Sequence, residues 1–427
     1  MTLRLPVPIL LSALPVAIIA GFLVSNAPGS TVANPVESPT SALPQATATG
    51  TLDVLPDGAA GKITYRTDDQ LVTVELPSRT EIERRPYVGG RSDIISADGE
   101  WRVHESCTTS VTSGQPCQVD LVGRDGITRA MKLDASLQWS QDLQWSPSGH
   151  TLAIRDWAGD TSRLSLIEDP FSGLRRVVVD GSDLSISAYA WLADHAIIAA
   201  VTGGHGGAAP GPRVVRMAID ESGAIHDLIS LGEAAPYLYP SPDHTKFAFT
   251  QNGLGGWHLK MYDATSGQIA DFGPMGSDGP GGTPVPSIPD VKTPMYIAWS
   301  PDGSRIAFGG GFEPPYTMTI VDVRSGSHRT TDFAEGYPGE IKWTRDGSEL
   351  AVSTYDPQRT RHEVYVVNPA TGAARHVISG CIIVWSPDGR FMAVHKDHEH
   401  GIVVADVRTG AYGFLTRTHA DAVAWEP

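Results

Sequence analysis

Residues Trp299-Ser300-Pro301-Asp302-Gly303-Ser304-Arg305-Ile306-Ala307-Phe308 decide how this chain is read. Pro301 presets φ at about −65° for the first corner of a turn. Asp302 then offers a side chain that bonds back to the local backbone, and Gly303 tolerates positive φ. The apolar run Arg305-Ile-Ala-Phe308 begins two residues later. The segment therefore reads as a tight reverse turn joining two antiparallel strands, with Trp299 closing the first and Phe308 lying in the second.

The pattern recurs. Trp145-Ser-Pro-Ser-Gly149, Trp343-Thr-Arg-Asp-Gly347 and Trp385-Ser-Pro-Asp-Gly389 are clear copies. Ile95-Ser-Ala-Asp-Gly99, Trp191-Leu-Ala-Asp-His195 and Tyr239-Pro-Ser-Pro-Asp-His244 are weaker ones, and Trp425-Glu-Pro427 is a truncated one. A second turn type follows most copies, as in Asp263-Ala-Thr-Ser-Gly267, Asp322-Val-Arg-Ser-Gly326, Asn368-Pro-Ala-Thr-Gly372 and Asp406-Val-Arg-Thr-Gly410. An Asx turn ending in glycine makes each of these a further hairpin. Two hairpins per repeat give four strands, which is one propeller blade, and a spacing of about 40 to 60 residues is the period of such blades.

These residues resemble the WD40-like (PD40) repeats of TolB-type propellers and of the propeller domain in prolyl oligopeptidase and dipeptidyl peptidase relatives, from about residue 60 to the end. The resemblance implies an all-β fold, a single β-propeller of four-stranded blades. Eight markers predict eight blades. Seven is the alternative, because the copies at Ile95 and Tyr239 are degenerate and Gly273 to Pro294 is a long insertion. Closure is expected through Ala422-Val-Ala-Trp425 pairing beside Lys62-Ile-Thr-Tyr65 and Leu71-Val-Thr-Val-Glu75, which joins the two ends of the ring and hides its edges.

Outside the repeats, the stretch Leu5 to Ala27 is uncharged and largely apolar, preceded by Arg4 alone. Residues 1–27 are read as a signal peptide or an N-terminal membrane anchor, which puts the remainder outside the cytoplasm, anchored or secreted. Residues 28–50, rich in Pro, Ser, Thr and Ala, are expected to be a disordered stalk, and 51–427 the propeller. Cys107 and Cys117 flank a polar stretch between two strand-like runs and are expected to form a disulfide. Cys381, in the run Cys381-Ile-Ile-Val-Trp385, is expected to be a buried free thiol. The formal charge of −16 repels phosphate backbones and anionic headgroups, so nucleic acid is excluded as a partner and a membrane is met only through the N-terminal segment.

In the usual winding, both turn types face one side of the ring. The loops between second and third strands and between blades face the other. The turn-side aspartates are expected to be structural, and the irregular loops to carry binding residues. That loop side would hold Asp156 and Trp157, His205 in a glycine-rich loop, Trp257 and His258, Phe312 and Tyr316, Tyr355 with Arg359, Arg361 and His362, and the cluster His395, His398, Glu399 and His400. Aromatic rings with Arg and His suit a protein, peptide or glycan ligand.

The expected function is a non-catalytic extracytoplasmic binding or scaffold module, a monomer without a cofactor. A metal-assisted polysaccharide lyase using His205, His258, His362, His395, His398 and His400 is the alternative. A serine peptidase is disfavoured, because no Gly-x-Ser-x-Gly elbow occurs. No catalytic residue and no metal ligand set is assigned.

Overall fold

The computed structural model describes residues 54–67, 70–86, 94–106, 118–123, 127–132, 143–158, 161–168, 175–179, 184–203, 212–219, 225–230, 238–253, 256–274, 297–310, 316–333, 336–396 and 401–427. All of them fall in one compact unit, Leu43–Pro427. Among them, thirty-two strands form eight antiparallel four-stranded sheets, and there is no helix. Eight blades, not seven, is therefore the arrangement. The copies at Ile95 and Tyr239 each head a blade of their own.

Blade 1 comprises Asp421–Glu426 and then Gly61–Arg66, Gln70–Leu76 and Thr80–Pro86. Blade 2 is Ile94–Ile95, Trp101–Ser106, Gln118–Gly123 and Thr128–Lys132; blade 3 is Leu143–Trp145, Leu152–Ala158, Thr161–Ile167 and Arg175–Val179. Blade 4 is Leu184–Ala193, Ala196–Gly203, Arg213–Ala218 and Ile225–Ser230; blade 5 is Leu238–Pro240, Lys246–Gly253, Gly256–Asp263 and Gln268–Pro274. Blade 6 is Ile297–Trp299, Arg305–Gly310, Tyr316–Asp322 and His328–Phe333; blade 7 is Tyr337–Trp343, Leu350–Asp356, Arg361–Val367 and Ala374–Ser379. Blade 8 is Cys381–Trp385, Phe391–Lys396, Gly401–Asp406 and Tyr412–Thr416. First strands of successive blades contact one another, as in blades 4 and 5 or 7 and 8, so they line the axis.

Among the described residues, blades 3 to 8 are each sandwiched between two neighbours, which is why their middle strands are apolar on both faces. Gly401–Asp406 is buried at every residue. Each of seven hydrophobic clusters straddles one pair of adjacent blades, from blades 2 and 3 round to blades 8 and 1. In blades 6 and 7, Met318, Ile320 and Phe333 meet Ile341, Val352 and Tyr365. Burying one such side chain is worth about 1.5–3 kcal/mol.

The Trp of the repeat has a directional task besides burial. Its indole N–H donates to a backbone carbonyl on the innermost strand of the preceding blade: Trp343 to Ala298 at 3.2 Å, Trp385 to Lys342 at 2.9 Å, Trp299 to Tyr239 at 2.9 Å and Trp191 to Gln144 at 3.1 Å. An indole bridges one blade to the next without leaving its polar atom unsatisfied.

Ser300 and Asp302 form the turn. The Ser300 hydroxyl donates to Asp302 at 2.6 Å and accepts from the Arg305 N–H, while Asp302 accepts from the Ser304 N–H at 3.0 Å. The same bonds recur at Ser96/Asp98, Ser241/Asp243, Thr344/Asp346 and Ser386/Asp388. Gly303 sits at φ 68° to complete it. These aspartates are structural, as expected.

Two copies differ from their sequence reading. In blade 5 the residue paired in the Trp position is Pro240, opposite Phe247, so Tyr239 lies one place earlier than its expected role as the marker. In blade 4 the Ser-centred turn is replaced by a two-residue hairpin, Asp194-His195, between the partners Ala193 and Ala196. Asp194 instead accepts from the Ser148 N–H of blade 3 at 2.8 Å, where that blade's own turn has Ser in place of Asp.

The ring closes as expected, with Ile63 opposite Trp425 and Lys62 opposite Glu426. Before it does, residues 54–60 cross blade 8. Leu55 and Ala59 enter the core shared by blades 8 and 1, and Arg390 donates to the Asp57 carbonyl at 3.1 Å. Trp425 donates to Ala60 at 2.9 Å. Gly413, on the outermost strand of blade 8, lies under this strap, and a Cβ there would stand 2.0 Å from the Val54 carbonyl oxygen.

Candidate functional site

Because every sheet runs antiparallel in sequence order, the first-to-second and third-to-fourth strand turns share one face of the ring, and the remaining connections share the other. On the turn face the carboxylates are engaged by their own loops. The Ser300 hydroxyl and the Ser304 N–H hold Asp302 down to about 2. Asp98, Asp243, Asp346 and Asp388 are held low similarly; burial opposes this most at Asp243 and Asp388, where the turn's hydrogen bonds still prevail.

The loop face is different, and its chemistry gathers in blades 6, 7, 8 and 1. Tyr337 opens the innermost strand of blade 7, Tyr355 lies one residue before the end of the second and His362 near the start of the third; Tyr355 is the register partner of both Tyr337 and His362. Their rings form a chain, with Tyr337 and Tyr355 centroids 5.6 Å apart and Tyr355 and His362 4.9 Å apart. Tyr316 of blade 6 extends it, 6.4 Å from Tyr337. All four residues are half-buried. Burial, and the neighbouring Tyr355 and Tyr316, push the Tyr337 hydroxyl above the usual phenol range.

Close packing of blades 6 and 7 beneath this chain depends on Gly309, whose Cβ, if present, would lie 2.9 Å from Pro338. Beside it sits Glu363. Its side chain is 4% exposed and meets Arg361 Nε at 2.7 Å, His376 Nε2 at 2.6 Å and the Ser379 hydroxyl at 2.9 Å. Burial raises this carboxyl, but the bonds from His376 and Ser379 and the charges of His376 and Arg361 outweigh it and hold the group below the usual range.

A third group spans the closure. Cys381 opens the innermost strand of blade 8 and pairs with His395, whose Nδ1 lies 3.7 Å from the Cys381 sulfur. The same nitrogen is 4.0 Å from Asp421, which opens the innermost strand of blade 1 and pairs with Arg66 at 2.7 Å. The His419 ring meets His395 edge-on at 5.6 Å. Cys381 is a free thiol, but only half-buried, which corrects the expectation of a buried one: the strand begins at this residue, at the ring's loop face. Thiol and carboxylate both approach Nδ1, so the three do not form a nucleophile, base and orienting acid on opposite ring nitrogens.

The structure thus brings together Tyr316, Tyr355 and His362, with Arg359 and Arg361 at the adjoining hairpin, and places His395 one blade on. It does not bring His258 to them. His258 lies in blade 5 and is bound 3.1 Å from Asp271 of its own sheet. Trp157 and Trp257 lie in second and third strands, Leu152–Ala158 and Gly256–Asp263. His205, Phe312, His398 and His400 fall outside the described residues, as do Glu399, Cys107 and Cys117. The described histidines of the lyase reading, His258, His362 and His395, belong to three different blades, and no group of three His, Cys, Asp or Glu able to hold a metal occurs among the described residues.

Tyr337, Glu363, His376, Asp421 and Arg66 were not anticipated. The available signal was position: Tyr337, Cys381 and Asp421 stand four to six residues before Trp343, Trp385 and Trp425, where an innermost strand starts at the loop face.

No family model matches the sequence, and no curated protein matches it. Solved structures do. Dipeptidyl peptidase 4 of Porphyromonas gingivalis is 9% identical over 84% of this chain and 58% of that one, with a TM-score of 0.56. A eukaryotic initiation factor is 14% identical over 85% of this chain and 87% of that one, also at 0.56. TolB from Acinetobacter baumannii, 12% identical over 77% and 84%, reaches 0.35, too low to bear on the question. At such identities the likeness shows the β-propeller fold and nothing finer.

Proposed function

We propose that this chain is an extracytoplasmic binding propeller that receives a protein, peptide or glycan on the loop face of blades 6, 7, 8 and 1. The observation carrying this reading is the contrast between faces. Turn-face aspartates are consumed by their own loops, whereas the loop face gathers Tyr316, Tyr337, Tyr355, His362, His395 and Arg361 at strand ends, with Arg359 in the hairpin beside them. Side chains fixed on strand ends lose little freedom when a ligand arrives.

Export rests on the uncharged stretch Leu5 to Ala27 and on the cysteines. No helix among the described residues is long and apolar enough to cross a membrane, and that stretch lies outside them. The proposed Cys107–Cys117 disulfide is supported by Ser106 and Gln118, which are direct register partners at the ends of their strands. The proposal also takes the protein to be a monomer without a cofactor.

The test compares variants of the two faces on peptide and glycan arrays. Tyr355→Ala and His395→Ala should abolish whatever signal the wild type gives, and Arg345→Glu on the turn face should not. Loss in the turn-face variant alone would place the site on the wrong side.

A further inference from the structure

We infer that the turn-side rim of the ring rests on a zwitterionic bilayer, so that the loop face looks away from it; this relies on Leu5 to Ala27 holding the chain at a membrane. Among the described residues the exposed large apolar side chains are Val54, Ile82, Ile127, Val177, Ile225 and Ile269, at 40% to 62% exposure. Their places follow one rule. Ile82, Val177, Ile225 and Ile269 stand within the first three positions of the outermost strands of blades 1, 3, 4 and 5, and Ile127 directly precedes that of blade 2. An outermost strand starts at the turn face, because a third-to-fourth strand turn leads into it. Val54 supplies blade 8, lying over Gly413, the second residue of its outermost strand. Six consecutive blades, 8 and 1 to 5, thus each carry one exposed aliphatic side chain near one level of the ring. Blades 6 and 7 have His328 with Arg329 and Ala374 with Arg375 there instead.

Two observations favour a bilayer over a folded partner. Equivalent positions of successive blades lie on a circle, which a flat surface can meet all round, whereas one side chain per blade gives no contiguous patch for a protein. The chain also enters the fold at this rim. Residues 54–60 run along the turn face, with the Asp57 carbonyl bound by Arg390 beside the Asp388-Gly389 turn, and Gly61 begins a strand at that face. The segment Leu5 to Ala27 therefore draws the turn face toward its membrane. A ring held near the surface by its own chain needs only a weak contact from each blade. Asp302, Asp346 and Asp388 are ionised on the same face and the formal charge is −16, so anionic headgroups are repelled and zwitterionic ones are met.

The experiment reconstitutes the full chain into phosphatidylcholine vesicles, with a photoreactive diazirine amino acid replacing Ile82, Ile225 or Ile269 on the rim, or the exposed Gln358 of the loop face. Lipid adducts should form about tenfold more at the three rim positions than at 358. With the probe at 269, Ile82→Glu and Ile225→Glu together, both exposed and outside the core, should lower the adduct about tenfold, and adding phosphatidylserine should lower it too. Equal labelling of rim and loop face, or crosslinks from the rim to a second chain in place of lipid, overturns the inference, while flotation with the vesicles keeps the anchor. A chain that does not float with the vesicles overturns the anchor and the inference together.

Discussion

His244 Nδ1 lies 2.9 Å from the backbone carbonyl of Trp191, and since a carbonyl only accepts, the proton is on Nδ1. Blade 5 has Pro240 where its neighbours have Trp, so no indole can reach back to blade 4. His244 stands in the turn position that glycine fills elsewhere, at φ 54°, and its ring makes the missing bridge. Strain and bond offset each other at one residue. His244→Ala keeps the strain and loses the bond, a cost of about 1 kcal/mol. His244→Gly loses both and should be near neutral, because a left-handed non-glycine residue costs about 1–2 kcal/mol. Urea unfolding of both variants checks this, and equal destabilisation would count against it.

Acid should unfold the protein through its turns. Asp302 titrates at about 2 in the folded chain against 3.8 ordinarily, so its stabilisation is complete above pH 4 and disappears as pH falls toward 2. Asp98, Asp346 and Asp388 shift in the same direction. The melting temperature should therefore fall between pH 4 and 2, and less steeply in Asp302→Asn. A variant as steep as wild type would assign acid sensitivity to other groups.

The strap over blade 8 predicts a size limit at Gly413. Gly413→Ala puts a methyl 2.0 Å from the Val54 carbonyl oxygen and must move residues 54–60 or the outermost strand. A loss of about 1–3 kcal/mol is expected, with faster proteolysis confined to the strap. Unchanged stability and cleavage would show that the strap does not rest on this strand.

The proposed disulfide has a simple readout. Of three cysteines, Cys381 is a free thiol. Denatured but unreduced protein should show one reactive thiol per chain, and reduced protein three. Three before reduction would remove both the disulfide and one argument for export.

Much of the fold was legible because each blade repeats the same local chemistry. Trp299, Ser300, Asp302 and Gly303 announce a turn whose bonds lie within six residues, and the pairing of Ile63 with Trp425 followed from counting markers. The irregular copies were less legible, since Asp194 and His244 act on the blade before their own, across 46 and 53 residues. The site was read in part. Tyr355 and His362 were accessible because a hairpin joins them, but Glu363 with His376, and Cys381 with His395 and Asp421, are cross-strand or cross-blade meetings fixed only by register.

The strap also decides how the ring bears load. Tension reaching Val54 from the N-terminal side arrives first at the outermost strand of blade 8, then at the Arg390 contact with Asp57, which Arg390 shares with the buried Asp406. The seam between Gly61–Arg66 and Asp421–Glu426, where the ring would otherwise tear open, lies behind that point. Blade 8 thus acts as a cleat, taking up strain before the closing strands feel it, and a tug on this end should shift the strap without springing the ring.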